Sequence, residues 1–240
     1  MHDEVKRRIV KLLKQAESVA GTPEAEAFTD KAMALIAEYG ITEIDRQLSD
    51  SRDPRAIVMD EIIFTGNIAS GLMTVMYCVG KALHCAVMPL TATTGRPHCK
   101  CEIHGVAVHV ERAKLLMEYL RPQVRAALQR DLNSYTGTLK FDEYSENWHW
   151  GFGLSIRDRL SALESQAVET ITQDRAGTEL VLASDLDRAI QAMNDRSRSA
   201  RRGQETRNSK TELTKEDYLT FMAGLRAGEE ADLMQPGLDS

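Results

Sequence analysis

The sequence predicts an α+β fold: an N-terminal α-helical hairpin, a small mixed β-sheet packed with long helices, and a C-terminal helix. Three observations lead there. Apolar residues recur at three- and four-residue spacing over most of the 240 residues, the period of an amphipathic helix. Two regions break that period with strand-like runs: "AIVMDEIIFTG", and the pair "HCAVMPL" and "HCKCEIH" around the turn "TATTGRP". Aromatic residues are only 5% of the chain, so helices rich in Ala, Leu and Met must supply most of the packing.

Composition divides the chain into a helical hairpin at 1–45, a linker at 46–56, an α/β core at 57–195, a basic flexible linker at 196–213 and a terminal helix at 214–235. In the first helix Val5, Ile9, Leu12, Leu13 and Ala16 share a face, with Lys6, Arg7, Lys11 and Lys14 around the rest of the cylinder. The second opens with Thr22 as N-cap, Pro23 at the first helical position and Glu24 and Glu26 in the positive first turn. Gly40 stops it. Ala25, Phe28, Ala32, Leu35, Ile36 and Tyr39 line its inner face, so the two helices pack antiparallel.

The polar stretch 42–55, broken by Pro54, leads into a strand from Ile57. Asp60 and Glu61 within it could serve a metal-dependent nuclease, but no further carboxylate or Lys follows at a suitable spacing, and an exposed edge strand is the preferred reading. Ile68, Leu72, Val75, Met76, Val79 and Leu83 mark a buried helix. If the next turn spans Thr91 to Pro97, the hairpin sets Cys85 opposite Ile103, Val87 opposite Cys101 and Pro89 opposite Cys99, with His84 opposite His104 on the other face. Cys78, Cys85, Cys99 and Cys101 read as reduced core thiols. His84, Cys99, Cys101 and His104 are weak zinc candidates, since no Cys-x-x-Cys knuckle is present and thiols and imidazoles point to opposite faces.

From Val106 a long helix places Val110, Ala113, Leu116, Met117, Leu120, Val124 and Leu128 inward, with a bend expected at Pro122 and Arg112, Lys114, Arg121, Arg125 and Arg130 mostly outward. After a polar connection, Ser145 caps a helix over about 146–172 that carries Trp148, Phe152, Ile156, Leu160, Leu163 and Ala167 inward. Trp148, His149 and Trp150 invite base stacking, although so few aromatics mean the core needs at least one Trp. "TELVLAS" reads as a short buried strand, after which Ser184 and Asp187 form a capping box for another helix. Thr214 caps the last helix, with Tyr218, Phe221, Met222 and Leu225 on one face and Gly224 and Gly228 permitting close contact.

The run "IVKLLKQAES" followed by "EAEAFTDKAMALIAEYGI" resembles the motif of the domain of unknown function 2786 family of bacterial and phage proteins. The likeness rests on Glu24, Glu26, Ala27, Lys31, Ala32, Leu35, Tyr39, Gly40 and Ile41, and Ile36 stands where Met is common. Two later phrases, "IHGVAVHVERAKLLMEYL" and "TFMAGLRAGEEADL", are similar to the companion region of such proteins, with His109 in place of an acidic residue. The resemblance implies a helical hairpin fused to a small α/β region and supplies no activity.

The formal net charge of −6 argues against coating nucleic acid by bulk electrostatics, so local patches matter more. The most uneven stretch holds Arg196, Arg198, Arg201, Arg202, Arg207 and Lys210 among Ser, Gly and Asn. With Arg121 and Arg125 on the long helix these are the candidate nucleic-acid contacts. No nucleophile elbow, phosphate-cradling loop, metalloprotease helix or dinucleotide fingerprint occurs, so no cofactor is expected and an enzyme reading has no named catalytic residue. The leading expectation is a non-enzymatic cytoplasmic accessory protein of phage or bacterial type that binds DNA or RNA. Alternatives are a module that binds a host protein through the hairpin and, more weakly, a metal-dependent enzyme. A second copy of the chain is a further candidate partner, and neither a signal peptide nor a membrane span is expected.

Overall fold

The computed structural model describes residues 3–18, 27–28, 31–32, 34–42, 55–91, 98–171, 175–200 and 214–231. The hairpin contributes α1 (Asp3–Ser18) and α2 (34–42). The expected cap and first turn of its second helix, Thr22 to Glu26, lie outside the described residues. Next come β1 (Ile57–Thr65), α3 (Ala69–Ala82), β2 (Ala86–Thr91), β3 (His98–Val106), α4 (Ala107–Ser134), α5 (Phe141–Ile171), α6 (Arg175–Ala200) and α7 (Lys215–Glu230). Among the described residues no helix is long and apolar enough to cross a membrane.

The three strands lie in the order β1-β3-β2 and pair antiparallel throughout. The pleat sends Cys99, Cys101 and Ile103 to one face of β3 and Lys100, Glu102 and His104 to the other. The first set joins a core with Leu72, Val75, Met76 and Val79 of α3 and Leu116 and Leu120 of α4. On the opposite face α6 crosses the strands. Beyond α3 lies α5, and α7 packs on α5, so the sheet has helices on both faces and the α3 side is the deeper.

Several sequence expectations give way here. Helix α5 starts at Phe141, so Ser145 is a buried residue within it, not its cap. Its first turn carries Asp142 and Glu143, favourable beside the positive helix end. The "TELVLAS" segment is helical, part of α6, and so are Ser184 and Asp187. That removes the strand that would have made the sheet mixed. The β2–β3 pairing is displaced by two residues: Val87 faces Ile103, Pro89 faces Cys101 and Ala86 faces His104, with an irregularity between Pro89 and Thr91. The displacement follows from the end of α3, where the His84 N–H bonds the Lys81 carbonyl at 3.4 Å and the Cys85 N–H bonds the Gly80 carbonyl at 2.8 Å. This pattern closes a helix through a left-handed residue. His84 occupies it at φ 59°, so it belongs to the turn and never faces His104.

The α5–α7 crossing depends on close backbone approach. A Cβ on Gly224 would fall on the main chain of Trp148, and one on Gly151 on the main chain of Phe221 and Leu225. Accordingly α7 buries Thr220, Gly224, Ala227 and Gly228, while Tyr218 is 60% exposed and Phe221, Met222 and Leu225 are half-buried, so the expected aromatic face is not the packing face. Thr214 caps α7 in a capping box with Asp217, as the sequence suggests. At the other end Arg159 donates to the carbonyls of Gly228 at 2.9 Å and Ala231 at 2.7 Å.

Gly224→Ala should therefore destabilise the fold by about 1–3 kcal/mol through overpacking, despite alanine's higher helix propensity. A lowered urea midpoint in equilibrium unfolding would register it, and an unchanged midpoint would refute the tight crossing.

Candidate functional site

The most unusual chemistry lies where α3, α4, α5, α6 and the hairpin meet. Arg112, expected on the outward face of α4, has a fully buried side chain. It forms an ion pair with Glu164 of α5, and its Nη1 lies 3.3 Å from His109 Nδ1 one turn away. A guanidinium only donates, so Nδ1 accepts and the ring proton resides on Nε2. That nitrogen faces Asp185 of α6 at 3.6 Å. The Asp185 carboxylate is fully buried, with Arg188 at 3.4 Å and Arg55 at 3.7 Å. His84 completes the set, its Nε2 3.6 Å from Glu164 Oε2 and its ring 5.4 Å from that of His109. Gly40 of α2 closes over the top, because any Cβ there would collide with the Arg112 guanidinium.

Protonation follows from these placements. Burial pushes His109 down to about 4; the Asp185 contact opposes the shift and Arg112 reinforces it. Burial would raise the Glu164 carboxyl, yet Arg112 and His84 outweigh it and hold the group below its ordinary value. The cluster thus holds neutral His109 between a paired cation and a buried anion. A divalent ion on His109 Nε2 would have to displace the ring proton while Arg112 occupies Nδ1, and would meet a guanidinium at close range. This donor set does not suit a metal, and no group of three or more His, Cys, Asp or Glu among the described residues is arranged to hold one. Nor can His109 act as a general base through Nδ1, since Arg112 already fills that lone pair. The arrangement is a polar lock that orients five segments.

The weak zinc candidates are not brought together. Cys99 and Cys101 face the α3–α4 side, where burial raises both thiols, Cys101 to about 12. His104 lies on the α6 side, 3.1 Å from Glu102, and His84 belongs to the lock. Asp60 and Glu61 are ion-paired with Lys114 and Lys100.

The described candidate nucleic-acid contacts lie on both faces of the sheet. Arg196, near the end of α6, holds the buried Glu102 carboxylate at 2.7 Å. Glu102 pairs across the ladder with Glu61, and Lys100 with Ile63. Lys100 shares the α6 face with Glu102 and is ion-paired with Glu61, whereas Arg121 lies on the opposite face, reaching it from α4 and donating to the Ile63 carbonyl at 3.5 Å with its guanidinium 5.2 Å from the Phe64 ring. Arg125 is exposed one turn along. Arg198 is on α6, while Arg201, Arg202, Arg207 and Lys210 lie outside the described residues.

A groove of about 650 Å³ lies between α5 and α7, lined by Asn147, Trp150, Leu154, Thr214, Lys215, Asp217, Tyr218 and Phe221. The two tryptophans part company there. Trp148 is buried, stacked on Phe152 at 5.2 Å and donating to Asp131 at 2.8 Å. Trp150 is 39% exposed and meets Tyr77 edge-on at 6.0 Å. In sequence the Trp148–Trp150 stretch invites base stacking, with burial the preferred reading; the i, i+2 spacing puts one tryptophan in the core and the other outside.

Residues 4–43 match the model of a family described as a protein of unknown function (DUF2786), in agreement with the likeness carried by the hairpin. Comparison with curated proteins and with solved structures gives no match.

Two outcomes test the lock. Arg112→Met should cost about 3–5 kcal/mol because it strands a buried carboxylate, and Arg112→Met with Glu164→Leu should cost less than the sum of the single changes. Chemical unfolding of the four proteins decides this. His109 binds its proton at about 4 in the fold, against an ordinary 6.5, so the unfolded chain takes up a proton that the native one refuses as pH falls between those values. That contribution to stability is complete above 6.5 and shrinks towards 4. Urea titrations across this window should show a declining unfolding free energy, with a shallower slope in His109→Gln. An identical slope in the variant would refute a neutral buried His109.

Proposed function

We propose that this protein binds nucleic acid as a non-enzymatic accessory factor, through the cations that begin at Arg196 and continue to Lys210. The observation that supports the reading is the run of cations that starts at Arg196, which holds Glu102 on the α6 face of the sheet at 2.7 Å. The chain leaving that point adds Arg198, Arg201, Arg202, Arg207 and Lys210 against only Glu205 and Glu212. A local excess of cations suffices to hold phosphates even where the whole chain is acidic, because surface charges are screened within about 10 Å at 0.1 M salt. Among the basic residues of α4 other than Arg121, Arg125 is exposed, whereas three are ion-paired. Arg112 is buried against Glu164, Lys114 pairs with Asp60, and Arg130 lies 3.4 Å from both Asp131 and Glu230.

Under this reading the phosphate backbone supplies the affinity, so binding weakens steeply with salt. Replacing Arg201, Arg202, Arg207 and Lys210 by Gln should flatten the plot of log affinity against log salt. On a single strand the slope should change by roughly 0.7 for each phosphate that is no longer neutralised. Gel-shift or anisotropy titrations between low and moderate salt provide the comparison. Absence of any complex at low salt would end the proposal.

A further inference from the structure

We infer that the polar cleft where α4 and α5 meet the last turns of α7 binds a free α-amino acid, holding its carboxylate and its ammonium at separate points. This cleft shares no residue with the cation run that begins at Arg196, and its occupancy does not depend on nucleic acid.

The cleft has a volume of about 290 Å³. Ligand pockets run from about 300 to 1,000 Å³, so it lies at their lower limit and suits a small guest. The α7 side leaves this room because Ala223 and Ala227 present only methyl groups to it. Charge dominates the rest of the lining. Arg130 and Asp131 come from α4, and Arg226 and Glu230 from α7, so the formal charges cancel. A simple anion drawn to Arg226 also approaches the two carboxylates, and a simple cation drawn to Glu230 also approaches the two guanidiniums. A guest that carries both charges on neighbouring atoms satisfies both pairs.

These groups keep bonding capacity. Arg226 is exposed and has no ion pair or hydrogen bond among the described residues. Arg130 reaches Asp131 and Glu230 only at 3.4 Å, beyond the usual N–H···O range of about 2.7–3.2 Å. Asp131 takes one short bond, from Trp148 Nε1 at 2.8 Å, where an ionised carboxylate can accept about four.

Tyr144 marks the cleft as built for a guest. It sits in the first turn of α5 with its ring 4.5 Å from that of Tyr135. The residue is 3% exposed and lines the cleft, yet its hydroxyl has no hydrogen-bond partner among the described residues. A buried phenol ordinarily finds one. Burial first, and then the neighbouring Asp131 carboxylate, push this phenol up to about 12, so it keeps its proton and donates. The guest carboxylate therefore meets the Tyr144 hydroxyl and the two-pronged guanidinium of Arg226, and the ammonium meets Asp131 and Glu230.

The test titrates the full chain by calorimetry with each common L-α-amino acid singly at millimolar concentration. At least one should bind at one site per chain. Its methyl ester and its N-acetyl form, which each lack one charge, should bind about tenfold more weakly or worse. Tyr144→Phe and, separately, Arg226→Gln should each weaken binding by about tenfold. The first removes a hydroxyl that no described residue uses and the second alters an exposed side chain, so both should fold with wild-type urea midpoints. No heat of binding from any amino acid overturns the inference, and so does wild-type affinity in either variant, which would put the site elsewhere. Equal binding of the methyl ester or of the N-acetyl form would reveal a site for one charge only and equally overturns it.

Discussion

Burying a guanidinium is the constraint around which this fold is arranged. An unpaired ion in the interior costs several kcal/mol even after relaxation, so Arg112 dictates what its neighbours must be. Glu164 supplies the counter-charge from α5, and His109 a neutral acceptor from the next turn of α4. Asp185 brings α6 to the other side of that imidazole. His84 faces the Glu164 carboxylate from a left-handed backbone position at the end of α3, a conformation that most residues other than glycine avoid. One cation thereby sets the mutual positions of three helices and a turn, and α6 in turn covers the outer face of the sheet.

The same constraint explains which parts of the fold are legible in sequence. Helix α3 and the capped start of α7 follow local rules, with the apolar positions of α3 buried and a recognisable cap on α7. Helix α6 defeats those rules because its buried positions, Thr178, Leu182, Asp185, Ala189 and Ser197, recur at helical spacing but include three polar residues. Reading Asp185 as exposed leaves only the run Leu180–Leu182, which resembles a strand, whereas Leu180 is 71% exposed. Arg112 misleads in the same way. A pattern that sorts residues by polarity cannot register a charge placed inside by a partner 52 positions away. The hairpin register escapes for a different reason: the close of α3 consumes His84 and Cys85, which shifts where pairing begins.

On the functional side, sequence alone marks the basic run and points to the Trp148–Trp150 stretch. It does not distinguish cations already spoken for from those available. Lys114 and Arg112 belong to the first kind, Arg125 to the second, and the difference is tertiary. Nor does it separate Trp148 from Trp150, whose roles diverge because positions two apart on a helix point about 160° from one another once α7 and α3 occupy two sides of α5. The groove lies beside the crossing where Gly151, Gly224 and Gly228 let the two helices approach closely.

The family match ends at residue 43, but the physical unit does not. Gly40 is shaped to a guanidinium contributed from α4, and Ile41 is enclosed with Val168 of α5 and Leu182 of α6. The hairpin's last turn is consequently a piece of someone else's interior. A hairpin cut from the body at that boundary would expose Ile41 and uncover the Arg112 guanidinium, so the recognised segment is one wall of an interior it shares with α4, α5 and α6.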